Sequence, residues 1–174
     1  FTDPPYGVDY KGINNDDRKG LSVLLNKAFE NYFNFSKSGA SIYCFHSDKC
    51  ADIFHVEFRK FFHFSSMIIW SKGFTLSQGD YQSTHEPCMY GWLNNGTHKF
   101  MGDRKQTTIW EVKKEKIAGH TTPKPLEFIA KALKNSSKSE DIVSDLFGGS
   151  GSTLLGAHQT GRNAYLMELD EKYV

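Results

Sequence analysis

A chain of 174 residues, 39% hydrophobic and 14% aromatic, is long enough to bury a sizeable core and too short for two comfortable domains. No apolar run approaches the length of a membrane span, and no secretory signal is visible. Cys44, Cys50 and Cys88 lack metal-ligand spacing and are odd in number, so a cytoplasmic protein with neither a disulfide framework nor a metal centre is expected; the net charge of +1 does not announce a nucleic-acid binder.

In chain order, Asp3-Pro4-Pro5-Tyr6 comes first, a stiff turn because consecutive prolines fix φ and disfavour helix at the residue before them. Apolar periodicity predicts a helix over about 17–35, a strand over Ser41 to His46, a helix over about 48–62 and a strand over Ser66 to Ser71. Strands at Glu86 to Trp92 and Gln106 to Val112 are expected to flank the Asn95-Gly96 turn as a hairpin. A helix begins near Pro125, with Leu126, Ile129, Ala130 and Leu133 spaced for one buried face. Asp141 to Phe147 reads as a short buried strand running into Gly148, Gly149 and Gly151. A helix with Ser152 or Thr153 at its cap follows, and then a strand from Asn163 to Asp170. Alternating strands and helices predict an α/β fold with a mostly parallel sheet.

Phe29, Tyr32, Phe33 and Phe35, and likewise Phe54, Phe58, Phe61, Phe62 and Phe64, are spaced for core packing rather than for base stacking. His46, His55, His63 and His85 form no ligand motif and are expected to be structural.

The segment from Asp145 to Thr153 is strand, glycine-rich loop and helix, and the next strand carries Glu168 near its end. Glycines here allow positive φ and close backbone approach to a ligand at the helix N-terminus. An acid at the end of the second strand of a βαβ unit suits the hydroxyls of a ribose. A phosphate-binding loop would need a lysine after Gly151, and a dinucleotide loop a glycine where Leu154 stands. A nucleoside ligand without phosphate, or a tight turn without any ligand, remains.

Together, and in this order, Asp3-Pro4-Pro5-Tyr6 and Asp145-Leu146-Phe147-Gly148-Gly149-Ser150-Gly151 resemble the active site and cofactor loop of the β-type DNA amino-methyltransferases. His120-Thr121-Thr122-Pro123-Lys124-Pro125 is similar to the segment that lines the cofactor pocket of that family. It matches at Thr122, Lys124 and Pro125 and departs at Thr121 and Pro123; Leu146 stands where the family usually has proline. Asp80 to Pro87, Gly102-Asp103-Arg104 and Ile109-Trp110-Glu111 extend the likeness along most of the chain.

The resemblance implies a three-layer Rossmann-like methyltransferase fold with one antiparallel strand. It implies a single catalytic domain over 1–174, its catalytic half 1–119 and its cofactor half 120–174. Both ends look truncated or continued elsewhere, so that the intact protein is larger.

It further implies S-adenosylmethionine as cofactor, held by Thr122, Lys124, Pro125, Asp145, Phe147, Gly149, Gly151, Ser152, Thr153 and Glu168. The substrate would be an adenine flipped out of DNA. An exocyclic amine is a poor nucleophile because its lone pair is delocalised into the ring. A carboxylate on Asp3 and the Pro4 carbonyl would accept its two hydrogens and localise that pair, Pro5 would stiffen the turn, and Tyr6 would stack the extruded base. Asp rather than Ser before Pro-Pro-Tyr favours adenine N6. Transfer to cytosine N4, an inactive subunit of the same fold, and an RNA substrate are the alternatives.

Residues 99–124 hold seven basic and three acidic side chains, a local +4. Lys99, Arg104, Lys105, Lys113, Lys114 and Lys116 could touch phosphates there, or form a solvated charged hairpin. No long recognition insert follows, so specificity is expected from a partner subunit or chain outside this sequence, or is loose; the partner expected is a homodimer mate or such a specificity subunit.

Overall fold

The computed structural model describes residues 1–8, 16–73, 80–113 and 124–171. Its elements are α1 (Arg18–Phe35), β1 (Ser41–Phe45), α2 (Ala51–Phe61) after a single 3-10 turn at Asp48–Cys50, β2 (Phe62–Ser71), β3 (His85–Leu93), β4 (Ile109–Glu111), α3 (Leu126–Ser136), β5 (Ile142–Asp145), α4 (Ser152–Gln159) and β6 (Asn163–Leu166). The strands join in the orders β1-β3-β2-β4 and β5-β6. β2 runs parallel to β4 and β5 to β6, whereas β3 is antiparallel to β1, in the register Ser41 to Trp92 through Phe45 to Cys88. The fold is therefore α/β and mostly parallel with one antiparallel strand, as expected.

The chain divides into two compact units: Phe1–Thr2, Ile68–Glu86 and Phe100–Val174 form one, Asp3–Met67 and Pro87–Lys99 the other. In the second, Asp17 caps α1 by accepting the Gly20 N–H at 2.8 Å, its own backbone extended. Leu21, Leu25, Ala28, Phe29 and Tyr32 then recur on one face of that helix and are buried. The Phe29 ring meets Phe58 at 5.9 Å and Phe62 at 5.4 Å, edge to face. Glu57 is buried between the helices because Ser22, Asn26 and Lys60 all donate to it. Burial alone would raise its carboxyl, but these donors hold it below the ordinary carboxylate value.

In the first unit, Phe128, Ile129, Ala132 and Leu133 make the buried face of α3, and the Trp110 ring lies 4.5 Å from that of Phe128. Residues 126–133 thus do form a helix, but its buried face is rotated from the expected one: Phe128 and Ala132 are inside, Leu126 and Ala130 only partly so.

Two expectations need correction. Gln106 to Val112 does not return beside β3 as a hairpin: β3 already has β1 and β2 as neighbours, a strand has two edges, and β4 pairs with β2 instead. Among the expected core aromatics, Phe35 is 87% exposed, since it is the last residue of α1. Phe29, Phe54, Phe58 and Phe62 are buried.

Candidate active site

The Asp3-Pro4-Pro5-Tyr6 turn lies in the second unit and belongs to neither helix nor strand. Its shape comes from side chains. The Tyr6 hydroxyl donates to Asp3 Oδ1 at 2.7 Å, which fixes the carboxylate three residues upstream. Pro4 is buried, while Asp3, Pro5 and Tyr6 are partly exposed. The Tyr6 ring stands edge-on to Phe54 at 6.5 Å, and the buried His46 ring lies 5.4 Å from the same Phe54. His46 Nδ1 is 3.1 Å from the Ser47 carbonyl and must donate to it, leaving Nε2 unprotonated; that atom is buried with no partner among the described residues. Burial lowers the His46 pKa below 6.5, although the Ser47 carbonyl pulls it upward.

The glycine-rich loop lies in the first unit, as do Phe1 and Thr2, which precede the turn. The Phe1 nitrogen donates to the Ser144 carbonyl of β5 at 3.4 Å. Asp145, at the end of β5 and 2% exposed, holds the loop from inside. Its Oδ1 accepts from the Phe147 N–H at 3.1 Å and its Oδ2 from the Thr153 hydroxyl at 2.6 Å.

Thr153 consequently does not cap α4, and neither does Ser152. The cap position is Gly151, at φ 78°, with no side-chain bond. Gly149 is also left-handed, at φ 49°, and a Cβ built on either glycine meets nothing within 4 Å. These two glycines therefore combine a conformation that side chains avoid with open space beyond the α carbon. Glu168, just past β6, closes the loop: Oε2 accepts from the Gly149 N–H at 2.6 Å, and Oε1 from the Leu169 and Asp170 N–H groups at 2.8 and 2.9 Å.

Lys124 is buried before α3 and paired with Glu86 at 3.2 Å; Lys72 holds the other Glu86 oxygen at 2.7 Å. Burial would raise the Glu86 carboxyl, but Lys124 first and then Lys72 outweigh it and hold it low. Pro125 caps α3. Thr122, Lys114 and Lys116, with the rest of the His120 segment before Lys124, lie outside the described residues. Lys99 is exposed in the second unit, and Arg104, Lys105 and Lys113 are exposed in the first.

Sequence reading missed Asp16, which is 4% exposed and accepts the Gly7 N–H at 2.6 Å. The only signal was a second acid beside the helix cap. It also missed Glu86 as the partner of Lys124, a pairing across 38 positions that no local pattern encodes.

Among the described residues no helix is long and apolar enough to cross a membrane, and no cluster of His, Cys, Asp or Glu could hold a metal.

A mostly parallel α/β sheet, a glycine loop opening a helix, and an acid that closes that loop from just past the next strand define the Rossmann-like methyltransferase class. The match of residues 1–174 to the DNA methylase family of N6 and N4 methyltransferases goes further, and the chain belongs to that family.

Relatives include the Type II methyltransferase M1.MboII of Moraxella bovis, 32% identical over 48% of this chain and 34% of its own length. M.HinfI of Haemophilus influenzae is 33% identical over 47% and 26%. The matched stretches thus span about a third or less of these relatives. The solved structure of M1.HpyAVI with SAM superposes with a TM-score of 0.78 over 99% of this chain and 82% of that one at 20% identity. The cytosine-N4-specific PvuII methyltransferase gives 0.73 over 99% and 75% at 13%. At such identities the likeness is one of fold.

Proposed function

We infer that this chain transfers a methyl group from S-adenosylmethionine to the N6 amine of an adenine in DNA. The observation that carries the reading is the Tyr6 hydroxyl on Asp3 Oδ1 at 2.7 Å, in a turn whose Asp-Pro-Pro-Tyr sequence resembles the amine site of this family. S-adenosylmethionine supplies an electrophilic methyl on a sulfonium when bound. Gly149 and Gly151 fit a nucleoside ligand, since each has positive φ and open space where a side chain would stand. Glu168 offers acceptors to hydroxyls, and Lys124 is paired with Glu86, which Lys72 also holds.

On the substrate side, Asp3 accepts one amine hydrogen and the Pro4 carbonyl the other. The amine nitrogen is then drawn toward tetrahedral geometry, and the positive charge that develops on it is stabilised by a carboxylate that Tyr6 already orients. Tyr6 stacks the extruded base. Asp rather than Ser before Pro-Pro-Tyr is what favours adenine over cytosine.

The test is mass analysis of nucleosides from DNA incubated with the protein and S-adenosylmethionine, with calorimetric titration of the cofactor. N6-methyladenine is expected, and N4-methylcytosine would reassign the base. Cofactor binding without any methylated base would turn the reading toward a non-enzymatic subunit. In Asp3→Ala, product formation is expected to fall by a hundredfold or more, about 3 kcal/mol, with cofactor affinity unchanged. Activity within a few-fold of wild type would remove Asp3 from the mechanism.

A further inference from the structure

We propose that Asp16 is a positioning residue for methyl transfer: its buried carboxylate clamps the Gly7 amide and so aims the Tyr6–Asp3 pair at the target amine. The inference rests on the function above and assigns that site a residue outside the Asp-Pro-Pro-Tyr motif.

Residues 3–8 lie in neither helix nor strand, so no helical turn or strand ladder holds this segment. Gly7 is one place where side chains grip it. Its φ of +73° is left-handed, and a Cβ there would lie 2.8 Å from Leu21 Cδ2 and 3.4 Å from the Arg18 α carbon, so this peptide is pressed against the first turns of α1. Both of its polar atoms are taken by side chains. The N–H donates to Asp16 Oδ1 at 2.6 Å, and the carbonyl accepts from the Cys50 thiol at 3.5 Å. Cys50 is itself fixed, because Arg18 Nη1 donates to its sulfur at 3.2 Å and to the Lys49 carbonyl at 2.7 Å while Nη2 pairs with Asp52.

The two grips are unequal. A thiol is a weak donor, and at this distance it adds little. A buried carboxylate on a backbone N–H is a charge-assisted bond, about twice as strong as a neutral one. Burying a carboxylate costs several kcal/mol unless hydrogen bonds compensate, so an acid kept 4% exposed depends on donors such as the Gly7 N–H. Through the peptide it holds, Asp16 restrains Tyr6, and Tyr6 holds Asp3 at 2.7 Å. Releasing Gly7 would leave the Asp3 carboxylate chemically intact but badly aimed. Misplacement by about 1 Å can cost on the order of a hundredfold in rate.

The experiment compares Asp16→Ala and Asp16→Asn with wild type in three measurements: hydrogen exchange of the Gly7 amide, cofactor affinity, and kcat for methyl transfer to duplex DNA. In the wild type the Gly7 amide should be protected. Asp16→Ala should release it, lower kcat by roughly tenfold to a hundredfold and leave cofactor affinity unchanged. Asp16→Asn keeps the volume and one acceptor oxygen, should remain folded, and should restore most of both the protection and the rate. Simple loss of stability would reduce the active fraction without changing kcat per folded molecule, and the asparagine would then rescue nothing in kcat. Combined with Tyr6→Phe, Asp16→Ala should cost less than the product of the two single effects, because both act on the same carboxylate.

An unprotected Gly7 amide in the wild type, or an unchanged kcat in Asp16→Ala once that amide is released, would overturn the role. A wild-type protein that makes no methylated base overturns the functional reading and this role with it. An active wild type whose Asp16 variants keep full kcat overturns this role alone.

Discussion

Thr153→Val probes the bond that ties the two ends of the glycine loop. Asp145 ends β5 and Thr153 lies in the first turn of α4; their side chains meet at 2.6 Å, and both are buried. Valine keeps the volume and the branched β carbon and removes only the donor. A hydrogen bond to a charged group contributes roughly 1.5–3 kcal/mol net, and one such bond is lost while Phe147 N–H still serves Oδ1, so the expected destabilisation is about 2 kcal/mol. In a chain of this size each kcal/mol moves Tm by roughly 2–4 °C, which predicts a fall of about 4–8 °C. Circular dichroism melts read it directly, with Thr153→Ser as the control that keeps the hydroxyl. Cofactor affinity should fall in parallel, since the loop that would receive the cofactor is what the bond holds. A Thr153→Val variant melting within about 1 °C of wild type would show that the Asp145 carboxylate does not depend on this donor.

Glu168→Ala is expected to raise the cofactor Kd and KM with little change in kcat, because an acceptor for hydroxyls acts in ground and transition states alike; a folded variant with unaltered affinity would refute the assignment. Stability is expected to fall as pH drops below about 6.5. His46 and His55 are both held below that value, chiefly by burial and for His55 also by Arg59, so the unfolded chain binds protons that the folded one refuses. Tm should therefore be level above the ordinary histidine pKa and decline beneath it, and His46→Phe should flatten the slope. Glu57 and Glu86, held below 4.5, give up their stabilisation only at lower pH, outside that window.

Motifs whose chemistry is local were legible in the sequence. Two prolines fix a turn, glycines open a loop, and an acid follows the next strand; each is a statement about neighbours within a few residues. The hairpin failed for the opposite reason. Turn residues at Asn95-Gly96 report a reversal of the chain, but which edge the next strand finds depends on β1 and β2, far earlier in the sequence, which already flank β3. Roles within the loop were likewise invisible. Nothing local says that Thr153 will serve Asp145 rather than cap its own helix, because a threonine hydroxyl can do either and a buried acid one strand away decides. Asp16 was hidden by Asp17, whose capping role accounts for an acid at that place without calling for a second.

The same limit bears on Glu168, which sequence reading assigned to a ribose without regard to what else it must hold. A carboxylate has about four acceptor directions. Gly149, Leu169 and Asp170 N–H groups use three of them, two on Oε1 and one on Oε2. A pair of vicinal hydroxyls both donating to this acid would need two, one more than remains. Either a single hydroxyl is bound directly, or the Gly149 N–H is surrendered and the glycine loop moves as the cofactor enters. In the second case the lost bond is subtracted from the gain, and the acid acts on affinity through the loop as much as through its own oxygens. Removing Glu168 would then free the Gly149 amide and abolish the hydroxyl acceptor together, whereas cofactor analogues lacking one ribose hydroxyl at a time leave the loop intact and count the direct contacts alone.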